Sequence, residues 1–411
     1  MSLRFIKKMS NLRLLREAVL RFGTPCYIYS KKILEDNILA YKECFNGIDI
    51  LFCYALKANS NPYILKIVAD KGLGADVVSG GELLQALSCG FDSKRIIFSG
   101  VGKTREELLL AIEKKILFVN VESFEELKVL GEIALSVKKR VNFSVRINPN
   151  VDPHTHKYIS TGKYGSKFGV PDREALEMYF WSLKNPFLNP IGIHFHLGSQ
   201  IFDARAYEIA FSRIIKILEK LESKGVSLKV IDIGGGWGVE EGKDLIPPKK
   251  IAQIISKYKS KYNFIMEPGR SIVASCGFFV TKTLYRKKSG ARQVVIVDGG
   301  MNDFIRPSLY GARHPVVNIS ENGSKMRGTA VDVDIYGPVC ESGDFLAKDV
   351  NLTVPDRGDL LCFLSAGAYG YSMSSNYNLR LRPAEVIISD KKAFSIGARQ
   401  KYSDIVKKAE K

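Results

Sequence analysis

The chain has few of the features that mark membrane or secreted proteins. No apolar run approaches membrane-spanning length, and five basic residues interrupt the apolar positions of residues 1–20, unlike a signal peptide. The seven cysteines are odd in number and include no C-x-x-C pair, which argues against a disulfide framework and a structural zinc site. A reducing, cytoplasmic location is the expectation.

Acidic residues are scarce, since 43 Asp and Glu stand against 61 Lys and Arg, a formal net charge of +18. Such an excess can serve a nucleic-acid partner, but the lysines occur in short scattered pairs such as Lys114 and Lys115. A solvated basic surface therefore explains the charge better. With 411 residues, 45% of them hydrophobic, the chain can form one large domain and a smaller one.

Residues 31–270 alternate short apolar, β-branched runs with longer segments of helical periodicity, which is typical of parallel strands joined by helices. Helix starts resembling capping boxes occur at Thr104 with Glu107 and at Ser123 with Glu126. The predicted strands are residues 48–55, 75–78, 95–98, 116–121, 141–147, 191–196, 228–233 and 264–266. Eight such strands predict an α/β fold, a (β/α)8 TIM-type barrel.

After residue 270 strand-like segments dominate, at 278–286, 293–297, 330–336 and 359–364. Long helical patterns become rare there. The sequence therefore predicts a second, mainly β domain that begins near residue 276.

Polar residues stand where the predicted barrel strands end, which is where the catalytic groups of this architecture lie. The polar residues are Lys57, Asp76, Arg146, His196 and Glu267, and a run of three glycines, Gly234, Gly235 and Gly236, follows the seventh strand. Most lysines are solvated surface charges, but Lys57 follows an apolar strand. Desolvation there can lower its pKa enough for the amine to react with a carbonyl group.

Several of these positions have more than one interpretation. The three glycines suit a phosphate site or a tight turn. A Walker A motif is excluded at Lys103, because Ile97 stands where the upstream glycine is required. His194 with His196, or His154 with His156, could form a metal pair, but no acidic cluster is evident beside either, and ring stacking explains His196 better.

The C-terminal end of the last barrel strand also has two interpretations. Glu267 and Arg270 could form a rim salt bridge, or Glu267 could keep a pyridine ring protonated.

Ordered motifs spread over nearly the whole chain add a family resemblance. They are TPCYIY (24–29), YALKAN (54–59), HFHLGSQ (194–200), GGG (234–236), EPGR (267–270), NDFIRP (302–307), GPVCES (337–342) and GAYG (367–370). Together they resemble the fold-type III pyridoxal-phosphate-dependent decarboxylases. The resemblance implies an alanine-racemase-like barrel at residues 33–275 and a β domain made of residues 276–411 and the N-terminal segment 1–32.

The resemblance also implies residue roles. Lys57 would carry pyridoxal 5'-phosphate, His196 would stack on its ring, and Glu267 would contact the ring nitrogen. The other cofactor-binding residues implied are Asp76, Arg146, Ser199, Gly234, Gly235, Gly236, Pro268, Gly269, Arg270 and Tyr369. The substrate-binding residues implied are Arg270, Arg306, Tyr310, Glu341 and Tyr369. No metal is expected.

Cys340 would be the acid that protonates the substrate carbon after carbon dioxide leaves, and a buried, inert cysteine is the alternative. The resemblance further implies a homodimer with shared active sites. Four short departures from the family strings stand out: Lys157, the middle of 163–169, Trp237 and Gly299.

The activity that the resemblance implies is decarboxylation of meso-2,6-diaminopimelate to L-lysine. Arg270, Arg306 and Glu341, in the roles implied for them, together suit a distal end bearing both carboxylate and amine. Two alternatives stay open. One is decarboxylation of another basic amino acid, namely ornithine, arginine, lysine or carboxynorspermidine. The other is a non-catalytic regulatory homologue, against which the joint presence of Lys57, Glu267 and Cys340 argues.

Overall fold

The computed structural model describes residues 9–151, 166–320 and 329–408. The chain forms two compact units, one from residues 38–238 and 246–271 and the other from residues 1–37, 239–245 and 272–411. The short segment 239–245, which lies between barrel elements in sequence yet belongs to the other unit, had no counterpart in the sequence analysis.

The first unit is a closed parallel barrel. The chain enters it from strand β1 (Cys26–Ser30), which belongs to the other unit, through the helix Lys31–Cys44. The barrel strands are β2 (Ile50–Ala55), β3 (Gly74–Val77), β4 (Ile96–Phe98), β5 (Phe118–Val121), β6 (Val141–Ile147), β7 (Leu188–Phe195), β8 (Val230–Asp232) and β9 (Asn263–Met266). Each pairs in parallel with the next, and β2 pairs with β9. The eight-stranded barrel predicted from the sequence is confirmed.

Helices join successive barrel strands. They are Pro62–Asp70, Gly80–Ser88, Arg105–Glu113, Phe124–Val137, Asp172–Ser182, Arg205–Glu222 and Lys249–Ser256. Thr104 and Glu107 form the complete capping box that the sequence predicts. The other predicted box is only half formed. The Ser123 hydroxyl accepts from the Glu126 N–H, but the Glu126 carboxylate accepts from the N–H of Glu122, one residue before the cap.

The barrel interior changes from apolar to polar along its strands. Cys53, Ile97, Phe118 and Ile265 form a buried apolar layer. Residues two positions apart on a strand share a face, so the residues that follow this layer point into the same interior. On three of the four strands they are polar and buried: Ser99, Asn120 and Glu267. The period of the strands therefore brings polar groups together at one end of a hydrophobic core.

In the part of the chain that the structure describes, the second unit is built around a nine-stranded sheet. Besides β1, its strands are β10 (Gly277–Ser289), β11 (Arg292–Val297), β12 (Val316–Asn318), β13 (Val331–Tyr336), β14 (Phe345–Leu352), β15 (Leu360–Phe363), β16 (Ala384–Ser389) and β17 (Lys392–Gly397). The strand order is β14-β13-β11-β10-β1-β16-β17, with β15 pairing to β10 and β12. Its helices include Met9–Phe22, Arg306–Tyr310 and Tyr402–Ile405. The short helix Arg270–Val273 contains the sequence boundary between residues 271 and 272 at which one unit ends and the other resumes. The mainly β character predicted for the C-terminal part is confirmed.

Aromatic side chains form much of the core of this sheet. Tyr27 on β1 lies 4.9 Å from Phe279 on β10, ring centroid to ring centroid, and Phe304 packs against both. The buried Tyr27 hydroxyl donates to the Asp303 carbonyl at 2.7 Å, so its polar end is satisfied. No helix among the described residues combines the length and apolar character that a membrane crossing needs.

Thr104→Ala should weaken the start of the helix Arg105–Glu113, because the hydroxyl that accepts from the Glu107 N–H is lost. A lost cap of this kind costs about 1 kcal/mol, so amide hydrogen exchange in this helix should speed up roughly fivefold. Thr104→Ser, which keeps the hydroxyl, is the control and should exchange like the parent. Equal exchange rates in the Ala variant and the parent would contradict the role of this cap.

Candidate active site

The side chains at the carboxyl ends of the barrel strands converge on one rim of the first unit. Lys57 lies in a 3-10 turn (Leu56–Ala58) directly after β2, and Asp76 and Arg146 lie within β3 and β6. His196 follows β7 by one residue, and Glu267 directly follows β9. Because all eight strands are parallel, these ends meet on one side of the barrel, as the sequence predicted.

Lys57 presents an accessible amine above a buried acid. Its Nζ lies 3.5 Å from Oδ2 of Asp76, and 42% of the lysine side chain is exposed while the Asp76 side chain is fully buried. The long distance makes this an ion pair with a weak hydrogen bond. The pair holds the amine at the rim and leaves it open to a reacting carbonyl group.

His196 is held next to the glycine loop. The Gly235 N–H donates to its Nδ1 at 3.0 Å, and the same nitrogen lies 3.8 Å from Oε2 of Glu267. Burial lowers the pKa of His196 well below its usual value, with further lowering by the cations of Arg146 and Lys57. The imidazole is therefore neutral, which suits a flat stacking surface better than a cation.

The glycine loop packs so closely that side chains are excluded from it. A Cβ on Gly235 would collide with the Glu267 carbonyl oxygen, and one on Gly236 would collide with that of Gly198. Gly236 also has φ +96°, in the left-handed region that favours glycine. The loop thus presents bare backbone, the form of surface that phosphate oxygens approach most closely.

Arg270 and Ser199, both predicted cofactor ligands, lie side by side, since Nη2 of Arg270 donates to Oγ of Ser199 at 3.1 Å. The segment before Arg270 is packed onto the end of β2. The Ala55 N–H donates to the Pro268 carbonyl at 3.3 Å, and a Cβ on Gly269 would lie only 3.0 Å from the Ala55 Cβ and 3.1 Å from the Ala58 Cβ.

Arg146 is held by a partner that the sequence analysis missed. Its Nη1 donates to Oε1 of Glu122 at 2.8 Å, with both side chains buried. The Glu122 carboxylate also accepts from the N–H groups of Gly100 and Gly169. Glu122 directly follows β5, so the rule that identified the other rim residues would have identified it too.

A second group lies beneath the rim, and the sequence analysis missed its members Ser99, Asn120 and Asp232. Oε1 of Glu267 accepts from Oγ of Ser99 at 3.3 Å, and Nδ2 of Asn120 contacts both Ser99 Oγ at 3.1 Å and Asp232 Oδ2 at 3.3 Å. His194 adds its Nε2 at 3.5 Å from Glu267 Oε1. Each of these polar residues lies inside or at the end of an apolar run of the sequence, and this position could have identified them as site residues.

The sequence argument that no acidic cluster accompanies His194 was wrong. Its ring, Asp232 and Glu267 offer donor atoms that all lie within 4.8 Å of one another, a set that could hold a cation. Neutral donors already occupy several of the carboxylate oxygens. Burial lowers the pKa of His194 well below its usual value, so the ring is neutral.

The other predicted site residues lie in the second unit. Arg306 and Tyr310 begin and end a short helix, and Tyr369 is half-buried with φ +55°. Arg306 is 4% exposed, and its Nη2 donates to Oε1 of Glu241 at 3.0 Å. Its Nη1 lies 2.8 Å from Nε2 of His314. Neither Glu241 nor His314 was predicted.

Cys340 is exposed, so the alternative that it is a buried cysteine is wrong. Its N–H donates to Oδ1 of Asn378 at 2.9 Å, which fixes the backbone of the loop. Glu341 is also exposed, and its Oε2 accepts from the Tyr377 hydroxyl at 3.4 Å. Both side chains are thus presented on the surface of their own unit.

Some sequence-based expectations fall on residues 152–165, outside the described residues. They are the histidine pair His154 and His156 and the departures at Lys157 and in the first part of 163–169. Two other departures have physical explanations. Trp237 donates from Nε1 to the Ile246 carbonyl at 2.7 Å, and an alanine Cβ at Gly299 would lie only 2.7 Å from Cζ of Phe279.

The residues of the rim fit pyridoxal phosphate. The accessible amine of Lys57 suits the aldehyde, and the neutral imidazole of His196 suits the ring. The side-chain-free glycine loop suits the phosphate group, and the buried carboxyl group of Glu267 suits the ring nitrogen. Asp76 Oδ1, buried and without a hydrogen-bond partner among the described residues, is a further polar atom at the same end of the barrel.

Comparisons with known proteins agree with this geometry. Residues 31–274 match the family model "Pyridoxal-dependent decarboxylase, pyridoxal binding domain". The chain is 44% identical over 396 residues to a diaminopimelate decarboxylase of Aquifex aeolicus, covering 95% of this chain and 93% of that protein. It is 45% identical over 387 residues to one of Helicobacter pylori strain J99, covering 93% and 95%.

A solved structure of the Helicobacter pylori enzyme, described as complexed with L-lysine, superposes with a TM-score of 0.90 at 44% identity and covers 95% of this chain and 98% of that one. This likeness extends over both the barrel and the β sheet. The chain belongs to the family of pyridoxal-dependent decarboxylases.

Proposed function

We propose that this protein decarboxylates meso-2,6-diaminopimelate to L-lysine and carbon dioxide, with pyridoxal 5'-phosphate attached to Lys57. The observation that carries the proposal is the meeting of the Lys57 amine and the Glu267 carboxyl group on one barrel rim, in a chain whose relatives are diaminopimelate decarboxylases over nearly their full length. The reaction breaks one C–C bond and adds one proton to the carbon that remains.

When bound, pyridoxal phosphate draws in the electron pair that the departing carboxyl group leaves behind. Glu267 supports this chemistry by offering a proton towards the ring nitrogen, since burial raises its pKa well above the usual value. His196, neutral and held by the Gly235 N–H, provides a flat face for the ring. Arg270, Ser199 and the glycine loop bind the phosphate group.

Arg306 and Glu341 recognise the distal end of the substrate in this proposal. Arg306 is buried and charged, and its Nε has no hydrogen-bond partner among the described residues. A guanidinium group of this kind favours a carboxylate and disfavours a bare ammonium group. The L-lysine in the Helicobacter pylori structure is the product that the same reaction would release.

Cys340 supplies the proton to the substrate carbon, and we propose that it does so in the active site of a second subunit. The support is its exposure in a loop of the β unit, beside the exposed Glu341. A partner's loop over an open barrel mouth would exclude water from the reacting carbon. A two-fold dimer makes two equivalent sites of this kind.

Three further assignments complete the proposal. Residues 33–275 serve as the cofactor-binding domain, and residues 276–411 together with 1–32 serve as the β domain. Tyr369 assists the phosphate group and the substrate. A cytoplasmic location is consistent with the seven free thiols, none of which is paired in a disulfide.

Lys57→Ala should abolish decarboxylation and the visible absorption of the bound cofactor, because the attachment point is removed. Borohydride reduction of the parent should fix the cofactor to the peptide containing Lys57, as read by mass spectrometry. Lys66→Ala, at an exposed helical lysine, is the control and should keep both properties. Recovery of the label on another lysine would contradict the assignment.

Arg306→Ala should lower kcat/KM for diaminopimelate by an amount equivalent to about 2–4 kcal/mol of transition-state binding, since a buried charged hydrogen-bonding partner is lost. Arg313→Ala, at an exposed arginine nearby, is the control and should behave like the parent. Steady-state kinetics with diaminopimelate, ornithine and lysine provide the measurement. Equal efficiency of the parent towards ornithine would favour a decarboxylase of another basic amino acid.

Mixing inactive Lys57→Ala chains with inactive Cys340→Ala chains under subunit exchange should restore activity, because a mixed dimer contains one site with both residues intact. Mass spectrometry would verify that exchange took place, and Lys57→Ala mixed with itself is the control. Exchange without any return of activity would contradict the shared site while leaving the chemistry untouched.

A further inference from the structure

The barrel interior beneath the rim holds more acids than its local cations can match. Asp76, Asp232 and Glu267 are all buried, with exposures of 1%, 0% and 5%. One carboxylate oxygen of Asp232 lies within 4.8 Å of one of Glu267. Two carboxylates at this separation in an apolar interior repel each other strongly unless a cation or a proton lies between them.

The cations of this region are committed elsewhere. Lys57 pairs with Asp76 at 3.5 Å, Arg146 pairs with Glu122 at 2.8 Å, and Lys103 pairs with Glu126 at 2.8 Å. Each of these three cations therefore has an acid other than Asp232 and Glu267 as an ion-pair partner.

The histidines do not supply the missing charge either. His194 lies 3.5 Å from Glu267 Oε1 and His196 lies 3.8 Å from Oε2, but burial lowers the pKa of both rings well below the usual value. Neither nitrogen of His194 has a hydrogen-bond partner among the described residues, although the side chain is 1% exposed. A neutral ring in that position lies beside the acids but does not balance their negative charge.

The remaining partners of the two acids are neutral donors. Asp232 accepts from the Gly234 N–H at 3.0 Å and from Asn120 at 3.3 Å. Ser99 accepts from the same Asn120 amide at 3.1 Å, so its hydroxyl hydrogen is directed to Oε1 of Glu267 at 3.3 Å. Asn120 and Ser99 thus link the two acids through a chain of neutral hydrogen bonds.

We propose that Asp232 and Glu267 hold one shared proton between them, and that Asp232 is the positioning residue that keeps this proton on the Glu267 side available to a bound cofactor. The pair then carries a single negative charge. If Glu267 gives up the proton to a basic nitrogen, the pair becomes doubly negative beside a new cation, and the net charge of the site is unchanged. The link to the cofactor rests on the function proposed above, whereas the shared proton does not.

The ionisation behaviour of the two groups agrees with this arrangement. Burial raises the pKa of Asp232 to about 7, and burial followed by the charges of Asp232 and Asp76 raises that of Glu267 well above its usual value. The cations of Lys57 and Arg146 lower the pKa of Glu267 but do not offset its burial. The two groups titrate as a pair, so removal of either should shift the other towards lower pH.

The test is an infrared pH titration of the full-length protein, prepared with and without pyridoxal phosphate. Carbon-13 labelling of aspartate or glutamate would assign the carbonyl band of the protonated carboxyl group. Without cofactor, the parent should retain one protonated carboxyl group of this pair at neutral pH. Asp232→Asn should leave a glutamate band whose midpoint lies at least one pH unit lower, because a neighbouring negative charge is gone.

Glu267→Gln provides the reciprocal measurement, since the remaining aspartate band should also titrate at lower pH, and it keeps the proposal testable if the first variant does not fold. Asp334→Asn removes a buried aspartate that has its own cation, Arg292 at 2.9 Å, and should leave both bands as in the parent. Cofactor addition to the parent should remove the shared-proton band.

Two results would overturn the proposal. One is a parent without a protonated carboxyl group assignable to this pair at neutral pH. The other is a midpoint that does not move when the partner acid is replaced. Failure to decarboxylate diaminopimelate would leave these titrations intact, so the two proposals can fail separately.

Discussion

Closure of the parallel barrel is the constraint on which the site depends. Parallel pairing of all eight strands, with β2 returning to β9, directs every carboxyl end to one side and every second side chain inward. Residues distant in sequence, such as Lys57 and Glu267, then share one rim. The same closure removes water from the interior, so that the ionisation of Asp232 and Glu267 is governed by burial and by each other.

Much of this arrangement could be predicted from the sequence, because barrel strands buried on both faces are short continuous apolar runs. The prediction of 141–147 coincides with β6, and 228–233 extends beyond β8 (Val230–Asp232) by only a few residues. Strand β1 (Cys26–Ser30) escaped detection, since five wholly buried residues show no alternation and stand directly before a helix. Strand β14 (Phe345–Leu352) escaped because its exposed half is polar.

The candidate site was predictable where a strand-end position also carried a distinctive residue, and not elsewhere. Asn120 and Asp232 lie within strands, where a lone polar residue is ordinarily tolerated on a solvated face, and only barrel closure turns them inward. The pairing of Arg306 with Glu241 depends on the segment 239–245, whose sequence gives no sign that it joins the β unit. Such contacts follow from tertiary topology, which periodicity alone does not encode.

Strand β1 pairs with β10 in antiparallel register and with β16 in parallel register, although both partners come far later in the chain. During synthesis on the ribosome, β1 emerges before any barrel strand. Its partner β10 emerges only after the whole barrel, and its partner β16 only near the end of the chain. Most pairings in the barrel join consecutive strands, and all of them can form in that interval, whereas the pairing of β1 with β16 closes a longer loop than any of them. The buried aromatic face of β1 therefore stays without its partners while the whole barrel is translated, and one of its edges stays unpaired until β16 emerges. It is the part of the nascent chain for which protection by a chaperone would matter most.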